Sequence, residues 1–166
     1  AATHLGATPE EVDRAVLRLM GEMHEQQKAL GQLRREMARL EFEALLQQVQ
    51  DVAGVSVLSA RVQAAEVETL REMTDWLRNR LVSVVIVLGA VIDEKPTFVA
   101  AVTPDLVERG LQAGSLIKEV ARIVGGGGGG RPTMAQAGGR DPKRLDEALA
   151  LVPAVIEESL NGGSEA

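Results

Sequence analysis

The sequence contains no cysteine and no tyrosine, a single tryptophan, two phenylalanines and two histidines. Each scarcity removes a class of protein from consideration. Without thiols there is no disulfide framework and no thiolate metal site, a composition that suits a reducing compartment and gives the expectation of a cytoplasmic protein. With Phe42, Trp76 and Phe98 as the only aromatic residues, the core has to be aliphatic, and few rings remain to stack on unpaired bases. Trp76 falls at the spacing of an apolar helix face and is read as core or rim. His4 and His24 stand apart with no partner at helical spacing, so neither a metal nor any other cofactor is expected. Ser56, Ser59, Ser83 and Ser115 have no histidine near them in any motif, Gly-x-Ser-x-Gly is missing, and no pair of carboxylates stands out. The chain is therefore not expected to be an enzyme by itself. The longest apolar run, Val82 to Ile92, is interrupted by Ser83 and Gly89 and is too short to span a bilayer. No leader pattern is seen, and a helical repeat begins soon after Ala1, giving the expectation of a portion excised from a longer protein.

What the chain does have is length, charge zoning and glycine. Its 166 residues, 45% of them apolar, suffice for one globular domain and an extension. The net charge of −6 argues against a general nucleic-acid binder, but the charge is unevenly placed. Between Arg109 and Arg144 there are seven basic and two acidic side chains, a surplus of five positive charges; the remainder carries eleven basic and 22 acidic, a deficit of eleven. A basic zone on an acidic body contacts phosphates while the body discourages indiscriminate binding; a solvated helix end beside a loop gives the same count.

In chain order, Thr8-Pro9-Glu10-Glu11 is a helix start, with Thr8 as N-cap and Pro9 in the first turn. Val12, Val16, Leu19, Met23, Gln26, Leu30, Leu33, Met37, Leu40 and Ala44 then alternate spacings of four and three, a heptad seam. Such a helix is about 48 Å long, with an apolar stripe too narrow for an ordinary surface helix. The seam needs a partner, either a second copy, through Val16, Leu19, Met23, Leu30, Leu33, Met37 and Leu40, or a helix outside this sequence. Gly54 is read as the end of this stalk, giving boundaries of 1–53 and 54–166. Beyond it, Val55 to Val62 reads as a strand, Ala64 to Arg80 as a helix, Val82 to Ile92 as a central strand, Asp93 to Pro96 as a turn and Thr97 to Val102 as a second strand. Thr103-Pro104-Asp105 breaks the pattern. Ala113 to Val124 is a helix, Thr133 to Ala137 a short strand, and a last helix follows Asp141-Pro142 with a kink expected at Pro153. The expected fold is an α+β or α/β domain, a mixed sheet packed by helices, on a long coiled-coil-like helical stalk.

Between those last helices lie six consecutive glycines, Gly125 to Gly130. Ordering glycine is entropically costly, so the run is either slack linker or a surface of bare main chain. A phosphate-binding Walker loop needs Lys-Ser or Lys-Thr where Arg131-Pro132 stands, and the dinucleotide fingerprint must follow a strand, whereas this run follows a helix. Lys118, Arg122, Arg131, Arg140, Lys143 and Arg144 surround it, and a sugar-phosphate backbone can approach such a surface closely.

The stretch from Ala113 through Lys118, Arg122, the glycines, Arg131-Pro132-Thr133-Met134-Ala135-Gln136-Ala137-Gly138-Gly139-Arg140 and on to Leu149 closely resembles the last, or C-Ala, domain of bacterial alanyl-tRNA synthetases, of the group associated with DHH phosphoesterases. The resemblance implies a module that helps the synthetase hold tRNA-Ala and couples charging to editing, with the aminoacylation and editing domains of the same synthetase as further partners. It implies RNA contact through Lys118, Arg122, Gly125, Gly126, Gly127, Gly128, Gly129, Gly130, Arg131, Gln136, Gly138, Gly139, Arg140 and Lys143. The His and Cys motifs of the editing domain are absent. Two other readings stand beside it: the nucleic-acid-binding part of a DHH-type phosphoesterase, which lacks support because Arg131 replaces the histidine after the glycines and no Asp-His-His occurs, and a purely structural dimerisation module, which leaves the glycines unexplained.

Overall fold

The computed structural model describes residues 8–162. The chain divides between Ala44 and Leu45 into two compact units. His4 lies outside the described residues.

The first unit is built on helix α1, Pro9–Leu46, 38 residues long. Its start is a capping box: the Glu11 amide donates to Thr8 Oγ1, and the Glu11 carboxylate accepts from the Thr8 amide at 2.8 Å and hydroxyl at 2.9 Å. These bonds, the backbone one first, hold the Glu11 carboxyl below the usual range. Along the seam Val16, Leu19, Met23, Leu30, Leu33, Met37 and Leu40 are all exposed, and so are Leu17 and Met20 beside it. The helix carries Arg18–Glu22 and Arg39–Glu43 pairs at i, i+4, which support helicity but little else.

The second unit is a six-stranded mixed sheet. Its strands are β1 (Gln50–Val52), β2 (Val55–Arg61), β3 (Val84–Ile92), β4 (Lys95–Val102), β5 (Gly127–Gly130) and β6 (Met134–Gly138), in the order β1-β2-β3-β4-β6-β5. Only β2 and β3 are parallel, joined by the crossover helix α2 (Val67–Arg80). The β-branched run Val84 to Val87 is fully buried, as a central strand requires. Val55, Val57, Val85, Val87, Phe98, Ala100, Ala135 and Ala137 form one core with α4 (Ala113–Ile123), α5 (Leu145–Ala150) and α6 (Val152–Gly162), through Leu116, Ile117, Val120, Leu145, Leu149 and Ile156. The alternate residues, Leu58, Ile86, Leu88 and Val99, turn to the opposite face, where α2 buries Leu70, Thr74 and Leu77. Gly89 lets α5 approach the sheet: a Cβ there would stand 3.1 Å from Phe98 and 3.2 Å from Leu149. Ser59 Oγ reinforces that contact by donating to the Leu149 carbonyl at 2.8 Å.

Several sequence expectations need correction. The stalk helix ends at Leu46, and Gly54 is the turn of the β1–β2 hairpin; Ala53 at φ 52° and Gly54 at φ 79° supply the paired left-handed residues such a turn requires. Asp93 (49°) and Glu94 (63°) do the same between β3 and β4, so Lys95 and Pro96 belong to the strand and not to the turn. Val82 is 96% exposed and precedes β3. Pro104 opens the short helix α3 (Pro104–Glu108). The last helix is three pieces, a 3-10 turn at Pro142–Arg144 followed by α5 and α6, and Pro153 sits in the first turn of α6, where the missing N–H costs nothing. No helix among the described residues is long and apolar enough to cross a membrane.

The start of α3 is stitched to β3 by side chains. Thr103 Oγ1 accepts from the Val84 amide at 3.1 Å, and Ser83 Oγ donates to the Asp105 carboxylate. The Ser83 bond, then one from Thr103, holds the Asp105 carboxyl below its usual range. A depressed folded value means stability that is complete above the ordinary aspartate pKa of about 3.9 and lost as pH falls through the folded value. Asp105→Asn is expected to lower the thermal midpoint modestly at pH 7, with the gap from the parent closing towards pH 3; thermal denaturation across that range checks it.

Candidate nucleic-acid interface

Helix α4 buries Leu116, Ile117, Val120 and Ala121 and leaves Lys118 and Arg122, four apart, exposed. It stops in a Schellman motif: the Gly125 amide donates to the Arg122 carbonyl at 3.1 Å and the Gly126 amide to the Ala121 carbonyl at 2.9 Å, with Gly125 at φ 66°. The next four glycines are β5, an edge strand antiparallel to β6, pairing Gly127 with Gly138, Gly128 with Ala137, Gly129 with Gln136 and Gly130 with Ala135. The run is ordered strand, and the slack-linker alternative falls with that.

The six glycines are not equivalent. A Cβ on Gly126 would lie 1.8 Å from the Gly138 carbonyl oxygen; on Gly128, 2.3 Å from both Ala137 Cβ and the Gln136 oxygen; on Gly130, 2.6 Å from Ala135 Cα. Those three are glycine because β6 lies against them. A Cβ on Gly127 would meet nothing within 4 Å, and one on Gly129 only the Lys118 side chain, at 3.7 Å. Nothing inside the molecule demands glycine at 127 or 129. Gly139 fits under the helix end, where a Cβ would stand 2.3 Å from Val124 Cγ2. Gly138 has room for one, with the Pro96 oxygen at 3.6 Å.

The basic side chains fall into groups. Lys118 stands beside Gly129. Arg131 is exposed just past β5, its amide donating to the Met134 carbonyl at 2.9 Å. Arg140 and Lys143 are exposed beyond Gly139, where Asp141 caps the 3-10 turn by accepting from the Lys143 amide at 3.0 Å. Among the described residues none of these four side chains has an acidic partner within 4.0 Å. Arg122 and Arg144 do, pairing with Glu119 at 2.9 Å and Glu147 at 2.7 Å. Glu147 raises the Arg144 pKa and is itself held below the usual carboxylate range. Gln136 is exposed on β6, its Oε1 accepting from the Arg71 guanidinium of α2. Arg71, Arg131, Gln136, Gly129 and Gly130 line one cavity of 390 Å³. Arg71 was not legible in the sequence, because it lies 65 residues before Gln136 and only the fold brings them together. No group of three potential metal ligands occurs among the described residues.

Residues 54–158, more than half of the chain, match the family described as the DHHA1 domain. The chain belongs to the DHHA1 domain family. This DHHA1 chain is 47% identical over 152 residues to an alanine–tRNA ligase of Dehalococcoides mccartyi strain BAV1, covering 92% of the chain and 18% of that relative. To an alanine–tRNA ligase of Desulfitobacterium hafniense it is 47% identical over 160 residues, 96% of the chain and 18% of the relative. It thus spans less than a fifth of the curated relatives it matches. In three dimensions it resembles the C-Ala domain of Aquifex aeolicus alanyl-tRNA synthetase, with a TM-score of 0.60 and 29% identity, covering 66% of this chain and 97% of that one.

The alternation of crowded and open glycines makes a steric prediction. Gly128→Ala is expected to cost about 1–3 kcal/mol by forcing β5 away from β6, while Gly127→Ala keeps the parent's stability. Denaturant or thermal unfolding of the two single variants measures the difference.

Proposed function

We propose that this DHHA1 domain is the tRNA-binding module of an alanyl-tRNA synthetase. It assists recognition of tRNA-Ala, works in the cytoplasm with the aminoacylation and editing domains of the same protein, and carries no catalytic group itself. The observation that carries the reading is the strand Gly127–Gly130, whose Gly127 and Gly129 are open although no internal contact requires glycine there. Lys118 and Arg131, both without acidic partners among the described residues, flank it. Bare main chain beside unpaired cations lets a sugar-phosphate backbone come close while the cations neutralise it. The likeness to alanine–tRNA ligases and to a C-Ala domain supplies the choice of RNA. With three aromatic residues in the chain, recognition rests on folded shape and backbone more than on unpaired bases.

Binding of a tRNA-Ala transcript at two salt concentrations tests this. Affinity is expected to fall as salt rises, and Lys118→Ala and Arg131→Ala are each expected to flatten the salt slope by about one. Gly127→Val with Gly129→Val is expected to weaken binding in a folded protein, since a side chain at either open position stands between the strand and the RNA. Parental affinity in that folded double variant contradicts the main-chain contact.

The exposed seam of α1 supports a second part of the proposal, self-association through Val16, Leu19, Met23, Leu30, Leu33, Met37 and Leu40. Leu30→Glu with Leu33→Glu is expected to convert a dimer to a monomer in sedimentation without altering the sheet domain's unfolding. A parent that is monomeric at every concentration assigns the seam to a helix outside this sequence.

A further inference from the structure

On the face of the sheet that α2 covers, β5 and β6 leave the cavity whose lining includes Arg71, Arg131, Gln136, Met134 and the backbone of Gly129 and Gly130, above the buried Val99. Every polar side chain lining it is a hydrogen-bond donor or an amide. The carboxylate that pairs with Arg71, Glu68 at 3.2 Å, is not part of the lining.

Arg71 is half-buried and held in place from two sides: one terminal nitrogen donates to Glu68, the other to Gln136 Oε1. Two of the five N–H donors of a guanidinium are therefore engaged, and three remain. Because the Gln136 oxygen is occupied by Arg71, its amide nitrogen is the end left to donate. Arg131 adds a whole guanidinium with no acidic partner among the described residues. A wall rich in donors with two fixed positive charges fits a group that is all acceptor and negatively charged, and phosphate is that group. The volume of 390 Å³ exceeds what a phosphate alone fills, and the half-buried Met134 side chain offers apolar surface for the rest of the ligand.

Resting on the reading of the domain as a tRNA binder, we propose that this cavity takes one nucleotide unit of the RNA, its phosphate held between Arg71 and Arg131 and its sugar and base lying against Met134 and the bare backbone of Gly129 and Gly130. Arg71 is then an RNA-binding residue supplied by α2, outside the glycine motif. The Glu68 contact does not forbid this, since an exposed pair of this kind is weak and exchanges readily for a charge-assisted bond to phosphate. Gln136 sets the direction of the Arg71 fork and adds its own donor.

The test uses the intact chain and a tRNA-Ala transcript at two salt concentrations, with unfolding curves for every variant. Arg71→Ala is expected to weaken binding about tenfold at low salt and to flatten the salt slope by about one. Arg71→Lys is expected to restore the slope while recovering only part of the affinity, because a point charge replaces a planar fork. Gln136→Glu, which puts a carboxylate into the wall, is expected to weaken binding at least as much, and it decides the matter if Arg71→Ala does not fold. Parental affinity and slope in folded Arg71→Ala and Gln136→Glu, with Gly127→Val and Gly129→Val still weakening the complex, overturn the pocket and leave the tRNA reading intact. A parent that binds no tRNA at low salt overturns both.

Discussion

The arrangement of the glycine strand depends on the Val124 carbonyl and the way the chain closes around it. That oxygen accepts from the Arg140 amide at 2.8 Å and the Asp141 amide at 3.1 Å, while Gly139 packs against the Val124 side chain. The helix end and the far end of β6 are thereby pinned to one point. With the Schellman bonds of Gly125 and Gly126 closing the helix, the four residues that follow have one course open to them, back along β6. At the other end the Ala113 amide donates to the Pro132 carbonyl at 2.8 Å, and Gly114 brings α4 within reach of the Gly130 backbone. The strand is thus held at both ends by α4, and this fixation meets the entropic cost of ordering glycine, about 0.5–1 kcal/mol each relative to alanine.

This constraint separates glycines needed by the fold from glycines needed by something else. Gly126, Gly128 and Gly130 belong to the fold because β6 occupies the space a side chain would take, and Gly125 belongs to it as the left-handed helix stop. Gly127 and Gly129 have no such internal reason. The site proposed here grows from that remainder. It combines main chain, which confers close approach, with Lys118 of α4 and Arg131 beside the strand and Arg71 of α2. The overall charge of −6 is compatible with this, because the cations concerned are local and unpaired while Arg122 and Arg144 are neutralised by Glu119 and Glu147.

Much of the scaffold was legible in the sequence where local chemistry determines structure. Thr8, Pro9 and Glu11 announced the capping box, the β-branched run at Val84 to Val87 announced a central strand, and the heptad spacing announced the long helix whose apolar seam this chain leaves exposed. What was not legible has a physical cause in each case. Gly127 to Gly130 carries no β propensity, so its strand character comes entirely from α4 and β6 on either side. Six identical residues also conceal the two-residue alternation that tells crowded positions from open ones. The three residues of β1 are too few to show a period, and the hairpin turns at Ala53-Gly54 and Asp93-Glu94 include non-glycine residues in left-handed conformations that the flanking strands impose. Arg71 joined the site through tertiary packing alone, as an arginine on a charged helix face has no local mark of its destination.

The central claim is that RNA lies on the glycine strand itself, and the backbone amides report on it directly. In a titration of the isotope-labelled chain with tRNA-Ala, followed by amide NMR, the largest changes are expected at Gly127, Gly129 and the neighbouring Lys118 and Arg131. Gly54 and Gly110, in turns elsewhere in the sheet domain, are expected to stay unmoved. Saturation of the complex with the amides of Gly125 to Gly130 unshifted, and the changes confined to another surface, contradicts the account.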